Sequence, residues 1–444
     1  MNCRTRALAT VLGVVLVVAP VWAQEAAPQD AEEATAAEER PVTEDTQGDS
    51  GGPGHKSGYE EKPIFGGPNS PQAQLEEDDR VKQPAFRLAR FDRALKPWFD
   101  WKRRLHDEHG LQLSGHYVAA WQTVNESLTD EDDAGSGVFR LTGAWEVLDR
   151  GTEDTGSIVV VVDHRHAYTD VSPANLGGEA GYLGQSGTLL SDVNLVLVEL
   201  NWKQSFNDRR AGLIVGRFDP TDYMNVLGYA NPWTTFQNLA LVVDASTAFP
   251  DASFGIGGGS WIRDRWYVLG TVNDANGTLT EEFDFFEGGA EFFSQAEVGW
   301  SPSKDERYMK NGNLTFWHVD ERDDAGIEGA EGVLFSANWT FNETWMPFFR
   351  AGWSDGSAPI YNRSLTVGAI RKFAFRSDLS GLGVNWGDPP DDSLDEQITV
   401  EAFHRFQIAQ NLAVTTSLQF LVDPAFNPDD DEVWVLGLRA RITY

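Results

Sequence analysis

The chain closes on a segment in which one parity reads Trp434, Leu436, Leu438, Ala440, Ile442, Tyr444 and the other Val435, Gly437, Arg439, Arg441, Thr443. A period of two places these sets on opposite faces of a strand. An apolar face with an aromatic at each end, finishing on the last residue, fits a strand with lipid outside and a polar lumen inside. Half-buried strands of soluble sandwiches also alternate, so repetition has to decide. The same grammar recurs where Val333, Phe335, Ala337, Trp339 and Phe341 alternate with Leu334, Ser336, Asn338 and Thr340. It recurs again where Leu412, Val414, Thr416, Leu418, Phe420 and Val422 alternate with Ala413, Thr415, Ser417 and Gln419.

The N-terminus supplies an address. Arg4 and Arg6 precede an apolar run from Ala7 to Val21, and Val21-Trp22-Ala23 offers a small-residue cleavage site before Gln24. Residues 1–23 therefore read as a secretory signal. No later run reaches the ~20 apolar residues of a spanning helix, so the exported chain is periplasmic, secreted or a barrel of the outer membrane. The single cysteine, Cys3, lies in the signal and precedes the apolar run, which leaves the mature chain without a disulfide or a lipoprotein cysteine.

A formal charge of −33 disfavours nucleic acid as a partner. Much of the acid falls in segments that read as loops, where a merely solvated surface and a cation-concentrating one both remain open. Residues 24–85, rich in Ala, Glu, Asp, Pro, Gly and Ser, lack the apolar surface to offset chain entropy and read as a disordered acidic arm. Residues 86–110 change character, setting Leu88, Phe91, Leu95, Trp98, Phe99, Trp101 and Leu105 among Arg and Lys before Gly110. They read as amphipathic helix, either a plug or clamp at the barrel mouth or a helix packed beside it.

From residue 111 the alternation divides the chain into sixteen strands: 111–124, 136–149, 156–168, 190–205, 210–219, 252–260, 262–273, 288–301, 310–321, 331–342, 345–355, 364–372, 378–387, 396–408, 411–422 and 433–444. The expected fold is all-β, a sixteen-stranded antiparallel transmembrane barrel over 111–444 with a short helical segment before it. An even count returns both ends of the barrel to the periplasm. Connections at 125–135, 169–189, 220–251, 274–287, 322–330, 356–363, 388–395 and 423–432 would be the longer outer loops. Asn207-Asp208, Asn342-Glu343-Thr344 and Ala409-Gln410 would be tight inner turns.

Parity assigns side chains to the channel. With Phe139, Leu141, Gly143, Trp145 and Val147 on lipid, Arg140, Thr142 and Glu146 face the lumen. With Val196, Val198, Leu200 and Trp202 outward, Glu199, Asn201 and Lys203 face it. Setting Gly212, Ile214, Gly216 and Phe218 outward exposes Arg217 and Asp219 to the pore, and Val400, Ala402 and Phe406 leave Glu401 and Arg405 there. Arg439 and Arg441 complete a mixed-charge lining. Such walls suit sugars, because each hydroxyl both donates and accepts, and guanidinium and carboxylate groups can each engage a vicinal pair. Tyr223, Tyr229 and Trp233 in the long 220–251 loop could add contact with sugar C–H edges. Opposed charges in any barrel can also simply pair with one another.

Residues 211–238, Trp317-His318-Val319-Asp320, and the stretch from Glu401 through Gln419, Pro424 and Gly437 to Arg439 resemble the carbohydrate-selective porins of the OprB family. The resemblance covers about residues 95–444 and excludes the acidic arm. It implies a sixteen-stranded outer-membrane barrel with loops folded inward, passing monosaccharides by diffusion, and it adds His318 and Asp320 to the pore-lining candidates. Tyr444 stands where most such barrels end in Phe.

Two clusters invite other readings. His164 and His166 share one face without an evident Cys or carboxylate partner, which speaks against a metal site. Gly255-Ile256-Gly257-Gly258-Gly259 lacks the Lys-Ser/Thr of a phosphate loop and reads as a place where strands bend. No nucleophile elbow or zinc helix occurs, so no enzyme activity, cofactor or metal is expected. The expectation is an outer-membrane channel for small, glucose-like sugars in a Gram-negative-type envelope, its termini periplasmic and its other partner outer-membrane lipid. A less selective or cation-preferring porin is the alternative. A structural envelope protein whose arm touches peptidoglycan is a third reading, and a homo-oligomer stays open.

Overall fold

The computed structural model describes residues 66–86, 88–281, 283, 285–286, 289–322, 325–373 and 377–444. The expected signal peptide and residues 24–65 of the acidic arm lie outside them. Among the described residues two helices, α1 (Pro71–Asp79) and α2 (Ala89–His109), precede sixteen strands. These are β1 (Leu111–Val124), β2 (Asp133–Leu148), β3 (Gly156–Ala167), β4 (Asn194–Phe206), β5 (Ala211–Phe218), β6 (Ser253–Trp261), β7 (Trp266–Asp274) and β8 (Phe292–Trp300). They continue as β9 (Lys310–Val319), β10 (Ala330–Trp339), β11 (Trp345–Asp355), β12 (Arg363–Lys372), β13 (Leu379–Asp388), β14 (Gln397–Ala409), β15 (Leu412–Val422) and β16 (Glu432–Thr443). Short helices α3 (Pro173–Glu179) and α4 (Leu239–Val242) sit in the β3–β4 and β5–β6 connections.

Each strand pairs antiparallel with its sequence neighbours, and β1 closes the barrel on β16 in a register running from His116↔Thr443 to Val124↔Val435. Closure satisfies every strand edge, which a bilayer demands. Among the described residues no helix is long and apolar enough to cross a membrane. Long and short connections alternate between the two rims. At the short-turn rim, Asn342 and Glu343 both take positive φ (50° and 56°) in a three-residue turn closed by the Phe341↔Trp345 pair.

Alternation sorts the side chains as the parity argument requires for most strands. Phe139, Leu141, Phe335, Val367, Leu436 and Leu438 are exposed on the outer face, while Asn313, Thr315, Thr366, Thr399 and Gln419 are buried on the inner one. Outward aromatics gather at both rims: Trp121, Phe292, Trp353 and Trp434 at the long-loop end, and Trp145, Phe206, Trp266 and Trp339 at the short-turn end. They form the two girdles of a membrane barrel.

Three expectations are corrected. Residues 66–86 hold an ordered stretch with α1, where composition reads as disordered arm; Ala73 and Leu75 are 1% and 0% exposed. The apolar surface that α1 lacks in its own sequence is provided by the barrel interior: Leu75 packs with Ala144 and Val159. In β4 the pairing shifts from Val161↔Glu199 to Val162↔Leu197, a bulge that turns Val196 and Val198 inward against Val161 and Ala252. In β5 the register Lys203↔Ile214 and Asn201↔Gly216 sets Gly212, Ile214, Gly216 and Phe218 on the inner face, so Arg217 has outward parity. Ile214 and Phe218 are apolar yet inward because the following loop supplies Tyr223 and Met224 to cover them, together with Trp261, Tyr267 and Leu269.

Candidate functional site

The connection from β5 to β6 folds into the barrel, and the wall charges hold it there. Asp219 starts it by accepting from Thr221 N at 2.9 Å, capping a 3-10 turn at Pro220–Asp222. Tyr223 Oη then donates to Glu199 of β4 at 2.8 Å, and Asn225 N donates to Glu297 of β8 at 2.7 Å. Across the lumen, Arg350 of β11 donates to the carbonyls of Asn225 (2.9 Å) and Val242 (3.0 Å). Glu401 of β14 accepts from Gln237 N at 2.9 Å and Asn238 N at 2.9 Å, while Arg439 of β16 donates to the carbonyls of Pro232 and Thr235. Glu297 and Glu401 thus take the loop's N–H groups and the guanidinium groups its carbonyls, satisfying backbone that would otherwise be orphaned inside the barrel.

Trp233 is driven into the β1–β2 wall, 1% exposed, with its ring 4.7 Å below the Arg140 guanidinium and 5.4 Å from His116. Arg140 makes a two-point bond to Asp163 (Nε–Oδ1 2.6 Å, Nη2–Oδ2 2.8 Å), and Arg165 Nη2 shares the second oxygen at 2.7 Å. Near this cluster the loop brings Asp222 close to Asp219 and Glu199. Burial, then those two carboxylates, hold the Asp222 carboxyl well above the usual carboxylate range.

The segment carrying α1 enters the lumen from the short-turn side. Pro68 O accepts from Asn231 Nδ2 at 3.1 Å, Gly66 O accepts from Tyr308 Oη, and Gln72 Oε1 accepts from Lys203 Nζ at 2.8 Å. Gly67 is pressed onto the loop: a Cβ there would stand 2.5 Å from Val226 Cγ1 and 2.9 Å from Asp222 O. At the end of α1, Asp78 accepts from Arg441 Nη2 and from Ser114 Oγ, both at 2.7 Å. The chain then leaves along the β14–β15 turn, where Ala85 N and Phe86 N donate to the carbonyls of Gln407 and Ile408.

Arg140, Glu199, Asn201, Lys203, Glu401, Arg405, Arg439 and Arg441 are buried on the inner face, and Tyr223 and Asp219 lie on or at the root of the inward loop. Glu146 faces a cavity of about 120 Å³ at the short-turn mouth, shared with Gln72, Ser157 and Lys203. Tyr229 is buried with Phe236 and Phe348 inside. Arg217 is instead held behind the wall, donating to the carbonyls of Leu197 and Thr278. His318 follows the exposed Phe316 on the outer face, 53% exposed, and Asp320 sits at the rim 3.2 Å from it, accepting from Phe292 N. His164 and His166 share the outer face near Tyr117 and Tyr168 rather than the lumen. Asp163, Arg165, Glu297 and Arg350 were missed, although parity along β3, β8 and β11 places all four inward. Between the entering segment and the loop, a cavity of about 30 Å³ lined by Pro68, Thr221, Asn225, Asp244 and Arg350 has room for water but not for a sugar ring.

Residues 331–444 match the model of the carbohydrate-selective porin OprB family. Over β10–β16 the chain is similar to that family. The fold is similar to that of the high-pH structure of Pseudomonas putida OprB, with a TM-score of 0.63 at 15% identity over 78% of this chain and 97% of that one. The low-pH structure of that protein matches with a TM-score of 0.46, at 14% identity over 78% and 96%. A triple mutant of Rhodopseudomonas blastica porin matches with a TM-score of 0.47, at 15% identity over 75% and 100%. No curated protein matches the sequence.

Proposed function

We propose that this chain is a porin that passes small carbohydrates, of monosaccharide size, by passive diffusion across the outer membrane, with both termini periplasmic and with neither cofactor nor energy input. The observation that carries this reading is the inward loop pinned across the lumen by Glu199, Glu297, Arg350, Glu401 and Arg439. Such a loop sets a narrow route whose walls present guanidinium, carboxylate and aromatic groups together. Neutral polyols can exchange hydrogen bonds along that route without a net charge barrier, and weak repeated contacts allow exit as well as entry. Lys203, Glu199, Tyr223, Trp233 and the Arg140–Asp163 pair are the contacts assigned to sugar. Because α1 lies inside the barrel at the short-turn end, held on Ser114 and Arg441, passage begins with its withdrawal.

A cation-preferring porin is the second reading, favoured by the exposed acid of the long-loop rim at Asp130, Asp132, Asp429 and Asp431. Planar-bilayer conductance of the refolded chain, titrated with glucose, maltose and a charged solute, separates the two. Saturable block by a monosaccharide, weakened in Glu199→Gln, supports sugar passage. Cation preference in the reversal potential without sugar block supports the second reading, and no conductance under any condition overturns both.

A further inference from the structure

Helix α2 is amphipathic in an unusual way: part of its apolar arc is covered and part is not. Leu95, Phe99 and Lys102 turn toward the barrel and the end of α1, with Lys102 Nζ donating to Asp79 (2.9 Å) and to the Tyr444 carbonyl (3.1 Å). One step around the helix, Ala94, Trp98 and Trp101 form an exposed strip, the two indoles 5.0 Å apart and 42% and 40% exposed. Beyond the strip come Arg90, Arg93 and Arg104, which make no ion pair among the described residues, whereas Lys96 and Arg103 are engaged by Asp100.

The position of the helix says what this face meets. Its last turn is fastened to the outside of the barrel at the short-turn girdle: Trp145 Nε1 donates to His109 O, and Arg150 Nη1 to Glu108 O. Gly110, in the left-handed region at φ 70°, makes the turn into β1, and a Cβ there would meet Glu146 O at 3.0 Å. On that rim β1 presents only Leu111 and Leu113 where neighbouring β2 presents Trp145, so Trp98 and Trp101 extend the girdle across a stretch where β1 supplies no aromatic. From Ala89 to Arg104 the helix carries six cations against two carboxylates, in a chain of net charge −33. An indole strip flanked by arginines at girdle level is complementary to one partner, the anionic headgroup layer of a phospholipid leaflet.

We propose that α2 lies in the headgroup region of the phospholipid leaflet on the short-turn side, with Trp98 and Trp101 at the level of the lipid glycerols and Arg90, Arg93 and Arg104 on lipid phosphates. The helix thereby anchors the chain where it leaves the lumen and keeps the α1 segment close to the mouth it fills. The proposal rests on the barrel spanning a membrane, so the test carries a separate reporter for that.

The full chain with Cys3→Ser and Trp98→Cys, labelled with an environment-sensitive fluorophore, is reconstituted into vesicles of phosphatidylcholine with and without phosphatidylglycerol. A second labelled variant, Leu436→Cys on the outer band, reports barrel insertion through quenching by nitroxides deep in the acyl region. With insertion established, the label at 98 is expected to be quenched by shallow nitroxide lipids and several-fold protected from aqueous iodide. Protection should be greater with phosphatidylglycerol, and that increment should be lost in the Arg90→Glu, Arg93→Glu, Arg104→Glu variant. Free access of iodide to the label overturns the proposal. So does a shielded label that nitroxide lipids leave untouched, which would mean that residues 1–65 or a second copy covers the strip. Failure of the label at 436 to meet deep nitroxides would overturn the membrane-barrel reading itself.

Discussion

Asp78 of α1 and Arg441 of β16 meet at 2.7 Å inside the barrel, with Ser114 Oγ on the second carboxylate oxygen and His116 Nδ1 3.8 Å away. Burial alone would push the Asp78 carboxyl up. Arg441 and His116 outweigh it, with Lys82 adding to them, and hold it well below the usual carboxylate range. A depressed carboxylate contributes stability that is present above its unfolded pKa of about 3.9 and is lost as pH falls. Conductance should therefore rise when the pH is taken below about 4. Asp78→Asn should conduct more at pH 7 and lose that acid step; removing one partner of such a buried pair costs about 3–5 kcal/mol. Survival of the acid step in Asp78→Asn would refute the latch.

The same contact can be locked. The mature chain is expected to have no cysteine, so Asp78→Cys with Ser114→Cys introduces a single thiol pair across the 2.7 Å contact. Oxidation should abolish conductance and a reductant should restore it to at least the starting level. A cross-linked chain that conducts unchanged would show that sugars bypass α1.

Glu401 holds the inward loop through two backbone donors, and Glu401→Gln replaces one acceptor oxygen by a group that only donates. Leaving Gln237 N or Asn238 N unpaired in a buried site costs about 1–3 kcal/mol. The loop should loosen, giving noisier single-channel currents and a sugar block weakened about tenfold, the equivalent of roughly 1.4 kcal/mol. Unaltered current noise and block would remove the loop from the route.

Asp222 has the opposite sign to Asp78. Its raised pKa means that folding favours the protonated carboxyl, so its contribution is present below the unfolded pKa and is lost as pH rises. Asp222→Asn, which mimics the protonated form, should raise the Tm relative to the parent at pH 8 and match it at about pH 3, below the ordinary range. Thermal unfolding in detergent at the two pH values tests this. A Tm lowered at both would mean that the charge itself is required.

Val367 lies midway along β12 and is 44% exposed on the outer face. Val367→Arg should cost about 2–4 kcal/mol in refolding into lipid, the penalty of a cation at the bilayer midplane. The same substitution should be nearly neutral at Glu331, on the long-loop rim. Equal cost at both sites would argue against a lipid-facing band.

The strands were legible because a barrel wall separates two solvents, lipid and a polar lumen, and every second residue must answer to one of them. For β1 and β11 the sequence-derived and observed bounds coincide, and elsewhere they differ by a few residues at the rims. Parity failed in two places for physical reasons. The bulge at Val198 resets the period in β4, and in β5 an apolar inner face is permitted because Tyr223 and Met224 cover it. His318 was carried over with a family-like stretch, but its place beside Phe316 in the alternation would have put it outside.

Alternation, polarity and punctuation by turn residues are local properties, so the sequence by itself determined a sixteen-stranded wall, its two faces and the charged character of the inner one. Tertiary structure alone decided what those charges do. Arg439 and Glu401 stand on strands separated by β15, yet their loop partners are Thr235 and Asn238, 204 and 163 places earlier in the chain. Helix α1 likewise has too little apolar surface to order itself, and becomes ordered only because the barrel surrounds it with Ala144, Val159, Ser114 and Arg441. Such pairings depend on which segments closure brings together in the lumen, a relation between distant residues that no local pattern encodes.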